Sequence, residues 1–287
     1  MKRTIVYTIS MMVVCFVCAA KEVIIQPEFN VGETFEYKVT TELRLREGQD
    51  SAVVKSVLLP KFVVEEHNDK GFILKASNKR EAFNITFSRP ELKGASDSFI
   101  GDEVKNLITP LVLTIQLDAD NRPDSILNIT EVKKNILKTY YRMAAKELGP
   151  DTANTETWKV TQALLELSVE TQYNQEKLIA RQFGNIPYFN FIGTPLESGK
   201  IPASMVLCDE LNKFCFGATE LNMEISPAPK KDRTDAYVIK VNGKKDNSII
   251  SCEFLFINGL MNLGTLSAYT EVDRVTIAST FHLERLP

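Results

Sequence analysis

The chain has 287 residues, a formal net charge of −3, 44% hydrophobic and 25% charged residues. These are ordinary globular values, and they exclude a disordered chain, a collagen-like chain and a cysteine-stapled miniprotein. The mildly acidic balance also argues against a nucleic-acid binder, which needs a basic stripe to neutralise phosphates.

The first segment reads as an address. Lys2 and Arg3 precede an uncharged apolar run over residues 4–17, and Cys18, Ala19 and Ala20 follow with small side chains. That layout predicts a secretory signal peptide cut after Ala20, so that the exported chain begins at Lys21. The expected destination is the periplasm, the cell surface or the extracellular medium. Residues 21–287 are expected to form one β-rich domain, with strands over 21–120, helices over about 129–148 and 155–181, and strands over 200–287. The alternative is two β domains joined by the helices.

From residue 34 the dominant period is two. Phe35, Tyr37, Val39, Leu43 and Leu45 point one way, and Glu36, Lys38, Thr40, Glu42, Arg44 and Arg46 the other, which predicts a long strand with one wet face. The alternation returns in Phe83-Ile85-Phe87, in Leu111 to Leu117 and, after the middle of the chain, in Leu221-Met223-Ile225, Tyr237-Ile239-Val241, Ile250 to Phe256 and Val275 to Leu283. Turn residues at 46–50, 67–71, 241–244 and 262–264 separate these runs and predict antiparallel meanders.

The middle changes period. Ile129, Val132, Ile136, Tyr140, Ala144 and Leu148 recur every three or four residues, behind Asn128 and Glu131 in the spacing of a capping box. A second helical stretch carries Trp158, Leu165, Val169 and Ile179. An aromatic linker, Phe183 to Ile192, follows it. The predicted fold class is α+β, mostly antiparallel β: a curved sheet or sheets, with two helices inserted mid-chain and packed on one face.

A resemblance enters here. The segment Leu113-Thr-Ile-Gln-Leu-Asp-Ala-Asp-Asn-Arg-Pro-Asp-Ser-Ile-Leu-Asn128, a strand with a short return strand running into a helix, resembles a segment of uncharacterised exported β-rich proteins of Bacteroidota. Val31-Gly-Glu-Thr-Phe-Glu-Tyr37 resembles their first strand. The order of elements is also similar to that of periplasmic lipoprotein carriers of the LolA type. There a curved sheet wraps helices over a hydrophobic cavity, and the resemblance implies an apolar cavity here.

Catalytic signatures do not stand out. The sequence holds two histidines, His67 in a turn and His282 on a wet strand face, and no HExxH, GxSxG, GxGxxG or P-loop pattern. Asp118-Ala-Asp120-Asn121-Arg122-Pro123-Asp124 places carboxylates at alternate positions, but Pro123 and Ile129 stand where a calcium loop needs Gly and Glu, so a turn is expected. No cofactor or metal is called for. Cys208 and Cys215 flank a polar turn symmetrically and are expected to form a disulfide, leaving Cys252 as a buried thiol.

Apolar surface is what remains. Tyr140 and Tyr141 end the stripe of the first helix, and Tyr188, Phe189 and Phe191 lie in the interrupted aromatic segment. Together these five are the candidate lining and entrance of a lipophilic pocket. The expected function is that of a non-enzymatic exported protein of the cell envelope. It would bind a lipophilic ligand or an envelope protein, with peripheral membrane contact and no nucleic acid. An exported hydrolase of envelope polymers, or a structural or adhesion module, is the alternative.

Overall fold

A computed structural model describes residues 22–89, 111–149, 155–182, 188–207, 216–217, 219–228 and 235–287. The signal segment 1–20 and the pair Cys208 and Cys215 lie outside the described residues, as does the tip of the loop after residue 228.

The fold is α+β and mostly antiparallel β. The strands are β1 (Val23–Ile24), β2 (Thr34–Glu47), β3 (Asp50–Asn68), β4 (Gly71–Phe87), β5 (Leu113–Leu117), β6 (Pro123–Ile126), β7 (Pro195–Leu196), β8 (Gly199–Ile201), β9 (Leu221–Pro227), β10 (Ala236–Lys245), β11 (Ser248–Ile257), β12 (Leu260–Val272) and β13 (Val275–Arg285). The helices are α1 (Ile129–Leu148), α2 (Glu156–Gln172), α3 (Gln175–Gln182) and α4 (Tyr188–Phe191).

Eleven strands form one curved open sheet in the order β6-β5-β4-β3-β2-β13-β12-β11-β10-β9-β8. The last strand lies against the first long one, from Val275 opposite Glu47 to Arg285 opposite Tyr37. That pairing joins the strands before the helices to those after them. β1 and β7 form a separate two-stranded ribbon.

The period-two pattern of β2 translates directly into burial. Phe35, Tyr37 and Val39 are core residues, while Glu36, Arg44 and Arg46 are exposed. The core continues across the sheet through Phe62, Leu74, Ile115, Leu283, Leu266, Phe254 and Ile239, all on the same face. α1 presses Val132 and Ile136 into this cluster, α2 adds Val169 and α3 adds Leu178. Burying a side chain of this kind stabilises the fold by roughly 1.5–3 kcal/mol, which is what holds the helices to one face.

Two expected turns are strand interior instead. Asn242 and Gly243 sit inside β10, and Asn262 to Gly264 inside β12; the chain reverses at residues 246–247 and at Asn258-Gly259. Close packing explains the glycine in β10. A Cβ on Gly243 would lie 2.3 Å from Leu221 Cδ2 and 2.6 Å from the Glu220 carbonyl oxygen. At Asn258-Gly259 and Asp273-Arg274 both central residues have positive φ, the backbone that matches the twist of a two-residue hairpin.

The expected second helix is two helices. α2 stops at Tyr173, whose N–H still donates to the Val169 carbonyl, and Asn174 Oδ1 accepts from the Lys177 N–H at 2.9 Å to start α3. An asparagine offers the backbone this alternative bond, and here it outweighs continuous helical periodicity.

Asn128 stands at the expected helix start but does not cap it through its side chain. Its Oδ1 accepts from the Thr114 N–H at 2.9 Å, and its Nδ2 donates to the Val112 carbonyl at 2.9 Å. It therefore ties the helix start to the entry of β5. Asn128→Ala is expected to cost about 1–3 kcal/mol, the range for leaving a buried donor unsatisfied, with little change in helical circular dichroism. Asn128→Asp keeps the acceptor for Thr114 and should lose less. The urea midpoints of the three proteins decide this.

Candidate functional site

The filled part of the inner face is a closed core. Phe191, at the end of α4, is fully buried, with its ring 5.2 Å from that of Phe254 and 5.9 Å from that of Phe256. Ile192 bridges to Ile25 beside β1, and Leu196 of β7 completes the plug. Phe189 packs partly against the same cluster, and Tyr188 is the first residue of α4. The expectation that Phe191 stands at a pocket entrance is therefore corrected: its neighbours are core rings.

The two helix tyrosines find their polar partners on neighbouring helical segments. Tyr140 and Tyr173 share a 2.8 Å hydroxyl–hydroxyl hydrogen bond. Tyr141 donates to Glu166 Oε1 at 2.6 Å, and its ring lies 6.0 Å from Trp158. Desolvation, and then the Glu166 carboxylate, push the Tyr141 hydroxyl up to about 12. Lys133 and Glu170 add an ion pair along the same seam. These contacts join α1 to the helical segment that follows it. Of the five predicted residues, Tyr140 and Tyr141 thus lie at a helix seam and Phe189 and Phe191 in the α4 region, while the side chain of Tyr188 lies outside what the structure describes.

A different part of the inner face stays open among the described residues. Beyond the core, register places Leu43 and Leu45 of β2, Val54 of β3, Phe83, Ile85 and Phe87 of β4, and Ile277 of β13 on the face that carries Val39 and Leu283. All seven are half-buried, and none belongs to the core cluster. The alternation in β2 and β4 was the sequence signal for these side chains, but it did not separate a covered half of the face from an open half.

Arg80 shares that face with Phe83, Ile85 and Phe87 because of a bulge. Val57 pairs with Ala82 and Leu58 with Arg80, so Glu81 is the extra residue in β4. One extra residue reverses the inward and outward sets. Phe83, Ile85 and Phe87 face inward on one side of it, and Arg80 faces inward on the other. The Arg80 guanidinium lies 4.8 Å from the Phe83 ring centre, and its Nε is buried without a hydrogen-bond partner. Ser56 Oγ, on the adjacent strand, is also buried and without one. Burial holds the Arg80 guanidinium below its ordinary value. Alternation from the core residues Leu74 and Ala76 already places Arg80 inward, and the bulge is what brings Phe83, Ile85 and Phe87 onto the same face.

Other chemistry is sparse among the described residues. His67 stacks on Phe72 at 4.4 Å, and His282 lies on the wet face between Thr265 and Thr40. Asp118 Oδ1 accepts from the Asp120 and Arg122 N–H groups at 2.9 and 2.8 Å, so that carboxylate serves a turn. An open cleft of about 270 Å³ lies between Ile24, Glu28, Asp235, Tyr237 and the Asn258-Gly259 turn. No group of three or more His, Cys, Asp or Glu side chains is placed to hold a metal ion among the described residues. No helix among them is long and apolar enough to cross a membrane.

Cys252 is 3% exposed, and desolvation pushes its thiol up to about 12. Both effects suppress the reactive thiolate. Peptide mapping after maleimide treatment should find Cys252 unmodified in folded protein and modified in urea. Rapid labelling of the folded chain would contradict its burial.

No protein-family model matches the chain, and no curated protein matches it. Among solved structures, it is similar to one described as lipid–protein interactions in lipovitellin, at 11% identity and a TM-score of 0.41, over 91% of this chain and 26% of that one. The chain thus spans about a quarter of the lipovitellin chain. It is also similar to an outer membrane channel from Pseudomonas putida F1, at 6% identity and a TM-score of 0.25, over 91% of this chain and 97% of that one. A third is MucB in complex with MucA, at 8% identity and a TM-score of 0.14, over 88% and 89%. Likenesses at these scores do not bear on what the chain does.

Proposed function

We propose that this is a non-enzymatic exported protein of the cell envelope that binds a lipophilic ligand on the open half of its inner sheet face. The observation that carries the reading is the set Leu43, Leu45, Val54, Phe83, Ile85, Phe87 and Ile277: seven large apolar side chains on one face, half-buried and outside the core cluster. A contiguous apolar surface of this kind marks an interaction site. The resemblance to LolA-type carriers, in which a curved sheet wraps helices over a hydrophobic cavity, also supports a lipophilic ligand. The amino-terminal segment, with its basic start and small residues before position 21, supports export.

The test uses a neutral probe, the methyl ester of anthroyloxy-stearate, whose fluorescence reports transfer into an apolar site. Saturable binding at micromolar concentration is expected. Replacing Leu45 and Ile85 together with serine should weaken it about ten-fold or more, from the lost burial of two aliphatic side chains. The unfolding midpoint should move far less than for a core substitution. Absence of saturable binding to the wild-type protein would refute the reading.

A further inference from the structure

Among the described residues, the open apolar face carries one charged group in its body. Among the described inward positions 39–45 of β2, 52–58 of β3, 80–87 of β4 and 277–283 of β13, Arg80 is the charged one; Glu81, the bulged residue, is exposed. We propose that the Arg80 guanidinium is the polar anchor of this face, and that the ligand it takes is a long-chain amphiphile with a single carboxylate head. The inference rests on the lipophilic-binding reading and names the ligand class.

Three observations support it. First, the guanidinium has a buried Nε without a hydrogen-bond partner, and its ring neighbour Phe83 holds it over the apolar surface. A partly desolvated cation without an anion is costly, and a carboxylate would relieve that cost through two parallel N–H···O bonds. Second, Ser56 is one pair removed from Arg80 on the neighbouring strand: Ser56 is opposite Phe83, and Leu58 is opposite Arg80. Such diagonal neighbours are about 7–8 Å apart, so the unpartnered Ser56 hydroxyl can donate to the same head group. Third, Leu43, Leu45, Val54, Ile85 and Phe87 extend from this point along one face, where an alkyl chain attached to that head would lie. One guanidinium balances one negative charge, which favours a carboxylate over a doubly charged phosphate monoester.

The experiment compares anthroyloxy-stearate with its methyl ester on wild type, Arg80→Gln and Arg80→Lys. Wild type should bind the acid about ten-fold or more tightly than the ester, the size expected of one charge-assisted pair. Arg80→Gln should bring the acid to the ester's affinity and leave the ester unchanged. Arg80→Lys, which keeps the charge but loses the fork, should retain part of the preference. Free acetate should not displace the acid, because it lacks the chain.

Equal binding of acid and ester by wild type, or a preference that survives in Arg80→Gln, would overturn the anchor while leaving lipophilic binding intact. Tighter binding of an alkyl phosphate than of the carboxylate would overturn the assignment of the head group. Loss of binding by both probes on wild type would remove the lipophilic reading as well. If Arg80→Gln does not fold, the wild-type comparison and Arg80→Lys still decide.

Discussion

Phe191→Ala is expected to destabilise the protein by about 3–5 kcal/mol, the range for removing a buried phenylalanine. The ring is fully buried between Phe254 and Phe256 and belongs to the core that plugs the curved sheet. The plug segment contributes only short elements, α4, β7 and the bridge at Ile192, so little nearby backbone can collapse into the space left by the ring. Poor collapse places the cost toward the upper end. Phe189, which is only partly buried, should lose less on the same substitution. Equilibrium urea unfolding gives both values. A Phe191→Ala midpoint equal to wild type would return the ring to a surface position and undo the account of the plug.

The second large effect is at the turn between β11 and β12. Gly259 has φ +73, and a Cβ there would lie 2.3 Å from Pro27 N and 2.4 Å from the Gln26 carbonyl carbon and oxygen. The left-handed backbone alone costs an alanine about 1–2 kcal/mol. The contact adds to this, because Gln26 and Pro27 present backbone atoms that cannot rotate away. Gly48 is the control: its φ is +59, and no atom lies within 4 Å of the added Cβ. Gly48→Ala should therefore show the backbone cost alone, and Gly259→Ala at least twice as much. Equal losses would mean that the turn does not press on the segment after β1.

Some of this molecule could be read from neighbours in the chain. Alternation from Phe35 to Leu45 predicted both the strand and its buried face, and the three-to-four spacing from Ile129 to Leu148 predicted α1. Those signals are local: side-chain direction follows from backbone period alone. The class of fold followed from them, since wet-faced strands and striped helices have few ways to bury what they share.

Which residues meet across strands and helices is not a local property, and there the tertiary structure decided. Gly243 resembles a turn until β9 is seen against it, with Leu221 occupying the space of a side chain. Asn128 resembles a helix cap, yet the Thr114 N–H reaches its side chain first. Tyr140 and Tyr141 suit a cavity wall by composition, but their hydroxyls are taken up by Tyr173 and Glu166. Phe191 suits a lid and is a core ring. Arg80 is the sharpest case. Its place on one face with Phe83, Ile85 and Phe87 depends on a single extra residue, Glu81, and a bulge is set by the pairing of two strands, which the sequence of either strand alone does not specify.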